Sequence, residues 1–462
     1  MTRLGALPPA VDAPLPAAVG RAWVDRLAAV ECPAFTARRA RRGERAGAPH
    51  DPIVWVEAAG ANVRDADGNV YVDLTSGFGA AAVGHGHPAV VAALRAQSGR
   101  LVHALGDLHP SDVKITLLER LVALAPFAGG RAMLALGGAD AVEAALKTAA
   151  LATGRPGLVA FDGGYHGLSH GPLAVCGYGE AFRAPFAEQL NPHVRFCPWP
   201  AADAPLDGAL APVERALAEA PVGAVVVEPI QGRGGVRVPP AGFLRGLHAL
   251  TRRHGALLVV DEIFTGLGRC GRRWQLLADA SEGSGGSEGE DVEGAPVDLL
   301  CVGKALGGGL PVSACVGRPE VMAAWGDPRG AALHTGTFFG DPLGAAAALA
   351  TLDVLEGERL ATRAAEVGAR FRERLARVCG DRVVQVRGAG LLAGVELAST
   401  GRTLRLVRRL LERGYLTLPA GADARVLQLV PPLTIDEPLL DAFTDALGEA
   451  LDEEPARAEA GA

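Results

Sequence analysis

In the stretch DLLCVGKALGGG, from Asp298 to Gly309, a lone lysine follows a run suited to a buried strand. An unpaired ammonium is costly to bury, so Lys304 calls for a chemical reason. Four other apolar runs end in a similar way. RAMLAL leads into Gly137-Gly138-Ala139, GLVAF into Gly164-Tyr165-His166-Gly167, VGAVVV into Glu228, and ALLVV into Asp261-Glu262. Together they offer an amine nucleophile and a glycine turn that could bring backbone N–H groups to a phosphate at a helix N-terminus. They also offer a ring that could stack on a planar ligand, and carboxylates that need a cation or several donors if buried. Each has a plainer reading. Gly137–Ala139 could be an ordinary strand–turn–helix link, with Asp140 and Glu143 as first-turn acids. Tyr165-His166 could be a surface turn, Asp261 a helix cap or a partner of Arg269, and Lys304 a snorkelling surface residue.

These strand ends must be brought together by the fold. From about residue 86, helical stretches alternate with short apolar runs, SACVG among them, which predicts an α/β chain with a mostly parallel sheet covered by helices. Ligands in such sheets sit at the carboxyl ends of the strands. The expected division is a large domain over 76–344, with a smaller domain drawn from residues 1–75 and 345–462. ANVRDADGNVYVDLTSG reads as a hairpin around Asp67-Gly68-Asn69. The Pro- and Ala-rich residues 1–20 are expected to be ordered only if docked. RRARRGER, from Arg38 to Arg45, reads as a solvated helix face or turn in preference to a binding patch. Residues 281–297 are rich in Gly, Ser and Glu and read as a mobile surface insertion.

Composition narrows the function. The 462 residues are 49% hydrophobic and carry a net charge of −7, which argues against nucleic acid as the main partner. Seven cysteines without CxxC spacing read as reduced thiols of a cytoplasmic protein, and no zinc pattern is visible. No secretory signal is seen, and no apolar run reaches the ~18 residues of a membrane helix.

The motifs YHG, VVVEPIQGRGG, LLVVDEIFTGLGRCG, DLLCVGKALGGGLP, HTGTFFGDPLG and VLQLVPPLTI occur in this order. In content and order the chain resembles the class III aminotransferases, pyridoxal-phosphate enzymes of fold type I, over roughly residues 50–450. The resemblance implies a mostly parallel, seven-stranded-type sheet in the large domain and a smaller α+β domain from both termini. It implies that Lys304 forms a Schiff base with pyridoxal 5′-phosphate and, once freed by substrate, carries a proton. Asp261 matches the acid facing the pyridine nitrogen. Tyr165 and Ile263 match the residues on the two ring faces, Gly138 and Ala139 the phosphate turn, and His166 and Glu228 further cofactor contacts. Thr337 matches a threonine that reaches the phosphate from a neighbouring subunit, which implies a homodimer with shared sites.

The chain also departs from the family pattern. Gln428 stands where many members carry a carboxylate-binding arginine, and Arg233 where its glutamate partner often lies. Thr148, Ala149 and Ala150 follow Lys147 without the arginine of the 4-aminobutyrate enzymes. Ala139 replaces a frequent serine and Phe264 a frequent glutamine. Arg233, Gln428 and Phe78 are the candidate substrate residues, with Arg233 expected to take a substrate carboxylate. The implied reaction moves an amino group from an amino acid or ω-amine to a 2-oxo acid in two half-reactions. The alternative is an amino-acid racemase or aminomutase on the same scaffold.

Overall fold

The structure, a computed structural model, describes residues 4–47, 52–280, 295–326 and 332–453. Its centre is a seven-stranded sheet. The strands lie in the order Arg131–Ala135, Ser313–Gly317, Leu299–Val302, Leu257–Asp261, Val222–Val227, Gly157–Phe161 and Val194–Cys197. From Leu299–Val302 to Val194–Cys197 all neighbours are parallel. Ser313–Gly317 runs antiparallel to both of its neighbours. SACVG therefore departs from the parallel pattern. It returns directly after the short turn at Lys304, a connection that only an antiparallel pair permits.

Strands Val222–Val227 and Leu299–Val302 are buried at every residue, as expected of strands covered on both faces. Helix Gly138–Thr153 lies on one face and buries Ala141, Ala144, Ala145 and Ala149. These small side chains let it pack closely on Val259, Cys301 and Cys315. All seven cysteines are free, and all but Cys32 are buried.

Residues from both ends of the chain share one sheet. Asn62–Asp65 and Val70–Asp73 form the antiparallel hairpin, and Tyr415–Leu416 pairs in parallel with its second strand. Gly68 turns the hairpin at φ +93°, and the Asp65 carboxylate accepts the Asp67 and Asn69 N–H groups. The N-terminal stretch docks on this hairpin. Asn62 Oδ1 accepts from Gly5 and Leu7, Ala10 pairs with Val70, and Asp67 receives the Val19 and Gly20 N–H groups at the start of helix Ala18–Val30. A further sheet contains Leu392–Glu396 and Val426–Leu429, the second of which carries Gln428.

The insertion expected at 281–297 lies outside the described residues from 281 to 294. Its last three residues belong to the core. Ala295 and Val297 are fully buried, and their carbonyls accept from the Arg318 guanidinium at 3.0 and 2.8 Å.

Candidate active site

The carboxyl ends of four parallel strands converge as the sequence predicts. Strand Leu299–Val302 delivers Lys304 through Gly303, and Lys304 adopts φ +44° at the start of a tight turn through Gly307. That conformation is uncommon for a side chain with a Cβ. Residues Ser76 to Gly79 approach from the other side, all with positive φ. A Cβ on Gly79 would stand 3.6 Å from Lys304 Cδ and 3.3 Å from Phe264. The lysine Nζ lies 4.3 Å from the centre of the Phe264 ring. Burial lowers its pKa, Asp261 and Glu228 oppose that shift, and Arg233 adds to it. A lysine poised toward its neutral amine is a potential nucleophile, and Lys304 does not snorkel.

Asp261 ends the adjacent strand and is buried. Its Oδ2 lies 2.8 Å from His166 Nδ1, and its Oδ1 accepts the Ile263 N–H at 3.0 Å. Arg269 is not its partner, since that guanidinium donates to the Leu391 and Pro431 carbonyls. Burial works against charge on His166, but the hydrogen bond and charge of Asp261 outweigh it and raise the pKa. The paired imidazole therefore holds the carboxylate in one orientation. Glu228 accepts the Tyr165 N–H at 3.3 Å. Burial pushes its carboxyl up to about 7, with His166 pulling it down and Asp261 raising it further. Glu262 goes elsewhere, because successive side chains leave a strand on opposite sides. It accepts from Thr265 Oγ1 and the Leu276 N–H.

The glycine turn begins helix Gly138–Thr153. Asp140 accepts the Gly137 N–H at 2.9 Å, and Ser313 Oγ donates to the Gly137 carbonyl at 2.6 Å. The next N–H groups, on Gly138 and Ala139, are among the first of the helix and have no acceptor within it. A Cβ on Gly138 would stand 3.0 Å from Ile263, so glycine is what lets this turn pack against the isoleucine. The structure thus brings the glycine turn, Ile263, Asp261 and Lys304 together.

Arg233, Gln428 and Phe78 line one cavity of about 240 Å³. Arg233 does not turn out to solvent. Its guanidinium lies 4.8 Å from the centre of the Tyr165 ring and 5.2 Å from that of Tyr178. Gln428 Nε2 donates to the Gly232 carbonyl at 2.7 Å, which anchors the loop carrying Arg233. Arg38, Arg39 and Arg42 of helix Pro33–Ala46 line the same cavity, so RRARRGER is not simply a solvated face. Thr337 lines a separate crevice with His103, Gly106 and Lys114.

Sequence reasoning missed Tyr178, Ser313, Arg38 and Arg42 as parts of this site. The spacing of Phe35, Arg38, Arg39 and Arg42 is that of one helix face and was the available signal. Tyr178 and Ser313 carry no comparable local signal.

These residues fit pyridoxal phosphate. Free helix N-terminal donors suit a phosphate, an oriented buried carboxylate suits a protonated ring nitrogen, and a lysine with a lowered pKa suits a covalent link. The site and sheet define a pyridoxal-phosphate enzyme of fold type I. The "Aminotransferase class-III" family profile matches residues 45–451, and the chain belongs to that family. It is 38% identical over 402 residues to the acetylornithine aminotransferase of Methanopyrus kandleri, covering 87% of this chain and 94% of that one. It is 33% identical over 423 residues to the 4-aminobutyrate aminotransferase of Mycobacterium leprae, covering 87% and 91%. Among solved structures, the ornithine aminotransferase of Toxoplasma gondii ME49 aligns with a TM-score of 0.76 at 32% identity, covering 87% and 92%. The chain is a pyridoxal-phosphate-dependent aminotransferase, and these relatives lend no support to the isomerase alternative.

Proposed function

We propose that Lys304 is the covalent anchor of the cofactor and the proton carrier of an amino transfer from an amino acid or ω-amine to a 2-oxo acid. The observation that carries this assignment is Lys304, with its lowered pKa, just past the end of the strand that pairs with the strand of Asp261, whose orientation His166 fixes. When bound, pyridoxal phosphate would supply a carbonyl for the amine and an electron sink for the pair left by proton removal from the substrate carbon. Gly138 and Ala139 hold its phosphate through backbone N–H groups, and Asp261 keeps its ring nitrogen protonated. Tyr165 and Ile263 would offer its ring an aromatic and an aliphatic contact. Glu228 holds the Tyr165 backbone in place. Lys304, released from its link, moves the proton at its Nζ. Arg233 receives a substrate carboxylate, Phe78 walls the substrate space, and Gln428 positions Arg233 through Gly232.

We also propose a cytoplasmic homodimer in which Thr337 serves the partner's site. Support comes from its position on the separate crevice and from the exposed apolar side chains nearby, Leu105, Leu108 and Phe338. No helix among the described residues is long and apolar enough to cross a membrane. The reaction is tested by incubating the loaded enzyme with single amines and no oxo acid. One conversion of the cofactor per site, restarted by a 2-oxo acid, is expected. Continuous turnover of a single amino acid would instead make the chain an isomerase.

A further inference from the structure

Helix Pro33–Ala46 brings a second group of cations to the substrate cavity. Arg38 and Arg42 are four residues apart, share one helix face, and line the cavity wall with Arg233. Arg39 also lines it but is engaged by Glu31, the one carboxylate on that wall among the described residues. Glu31 in turn accepts from Thr36 Oγ1 at 2.6 Å. Among the described residues, Arg38 and Arg42 have neither an acidic partner nor a hydrogen-bond acceptor. Arg233 is held ready. Its carbonyl accepts the Gly421 N–H at 2.9 Å, and Tyr178 Oη donates to the Gly421 carbonyl at 2.9 Å. Its guanidinium lies against two tyrosine rings, and its buried Nε has no acceptor. Burial lowers the pKa of Arg42, and the like charges of Arg38 and Arg233 lower it further. Arg38 is exposed and Arg42 half-buried, and with Arg233 they set three cations around one small cavity, where a single carboxylate would leave most of that charge uncompensated.

We propose that Arg38 and Arg42, with Arg233, form a subsite for a substrate whose end remote from the reacting amine carries more than one negative charge, as a pair of carboxylates or a phosphate. This rests on the aminotransferase reading and adds its substrate class. Arg233 lies against the Tyr165 ring of the cofactor site, while Arg38 and Arg42 extend the positive wall onto the N-terminal helix.

Calorimetric titration of the cofactor-loaded enzyme tests the subsite independently of catalysis. The probes are glutarate, propane-1,2,3-tricarboxylate and 3-phosphonopropionate. The expected result is that at least one of the two more highly charged anions binds about tenfold more tightly than glutarate. A tighter tricarboxylate identifies a carboxylate pair, and a tighter phosphonate identifies a phosphate. In the Arg38→Gln/Arg42→Gln double variant, checked for an unchanged cofactor absorbance, the preference should fall to about twofold or less. On the unaltered protein it should shrink as salt is raised from about 50 to about 500 mM. Equal binding of all three anions overturns the proposal, as does a preference that survives either the double substitution or the added salt. Failure of single amines to convert the cofactor would instead refute the aminotransfer reading and leave the anion preference standing.

Discussion

Glu228→Gln should make the stability of the apoenzyme less dependent on pH. Burial raises the Glu228 carboxyl from 4.5 to about 7, so the native state keeps a proton that the unfolded chain has already lost. Across that window the unfolded state binds fewer protons, and native stability falls as pH rises. At about 1.4 kcal/mol per pH unit the loss comes to about 3 kcal/mol by pH 8. A glutamine keeps an acceptor for the Tyr165 N–H but carries no proton to lose. Its melting temperature relative to wild type should therefore rise between pH 4.5 and pH 8. With an unfolding entropy of about 2 cal/mol/K per residue, a chain of this length has about 1 kcal/mol/K in all, so the relative rise is about 3 °C. The assay is thermal unfolding of both apoproteins across that range, where contributions from other titrating groups largely cancel in the difference. A difference that stays constant within about 1 °C, or that moves the other way, would refute the assignment of a buried, proton-retaining Glu228.

Lys304→Ala should retain pyridoxal phosphate by equilibrium dialysis but lose its covalent attachment. Borohydride reduction of the wild type followed by peptide mapping should place the cofactor on Lys304, and labelling of another lysine would displace it from its role. Asp261→Asn should bind cofactor yet turn over about a hundredfold more slowly or worse, because a neutral amide cannot balance a protonated ring nitrogen; near-normal steady-state rates would show another role for Asp261. His166→Gln removes a buried charge-assisted hydrogen bond of about 1.5–3 kcal/mol and should lower kcat about tenfold or more with cofactor retained. Because the folded pKa of His166 is raised, its pairing contributes fully to stability below the unfolded value near 6.5 and is lost as pH rises through the folded value, so the variant's unfolding profile should lack that decline. Arg233→Ala should raise KM for a carboxylate substrate about tenfold without changing the cofactor absorbance, and an unchanged KM would remove Arg233 from the substrate site.

The positions of the strand-end residues were legible because each follows an uninterrupted apolar run, and burial of a parallel sheet on both faces requires such runs. Strand direction was not legible in the same way. SACVG has the composition of a strand of the parallel part of the sheet, and only the short return after Lys304 sets it antiparallel to both neighbours. The boundary of the polar insertion was misplaced because Ala295 and Val297 are few residues beside many glycines and acids, yet Arg318 holds both carbonyls. The His166–Asp261 pair joins residues 95 apart in sequence. Their strand-end positions made proximity reasonable, but which oxygen is held and by which ring nitrogen depends on the loop conformation around Gly164 and Gly167.

The substrate side was hardest to read because its substitutions act together. Taken alone, Gln428 is a lost cation and Arg233 a lost anion. In the fold, Gln428 ties down the Gly232 carbonyl, and a Cβ on Gly232 would fall 2.2 Å from the Phe264 ring. Phe264 in turn covers the Lys304 amine. The loop, the ring beside the lysine and the placement of Arg233 therefore form one packed unit, and a single reversion to the common family residue at any of these positions would disturb the others. Helix Pro33–Ala46 places Arg38 and Arg42 beside that unit. Net charge over RRARRGER cannot distinguish a solvated face from a cavity wall, whereas the helical spacing of 35, 38, 39 and 42 limits which side chains can face the cavity together. The wall of this cavity is thus drawn from segments far apart in sequence, helix Pro33–Ala46 and the loop at Arg233, whose guanidinium takes its direction from the Tyr165 and Tyr178 rings.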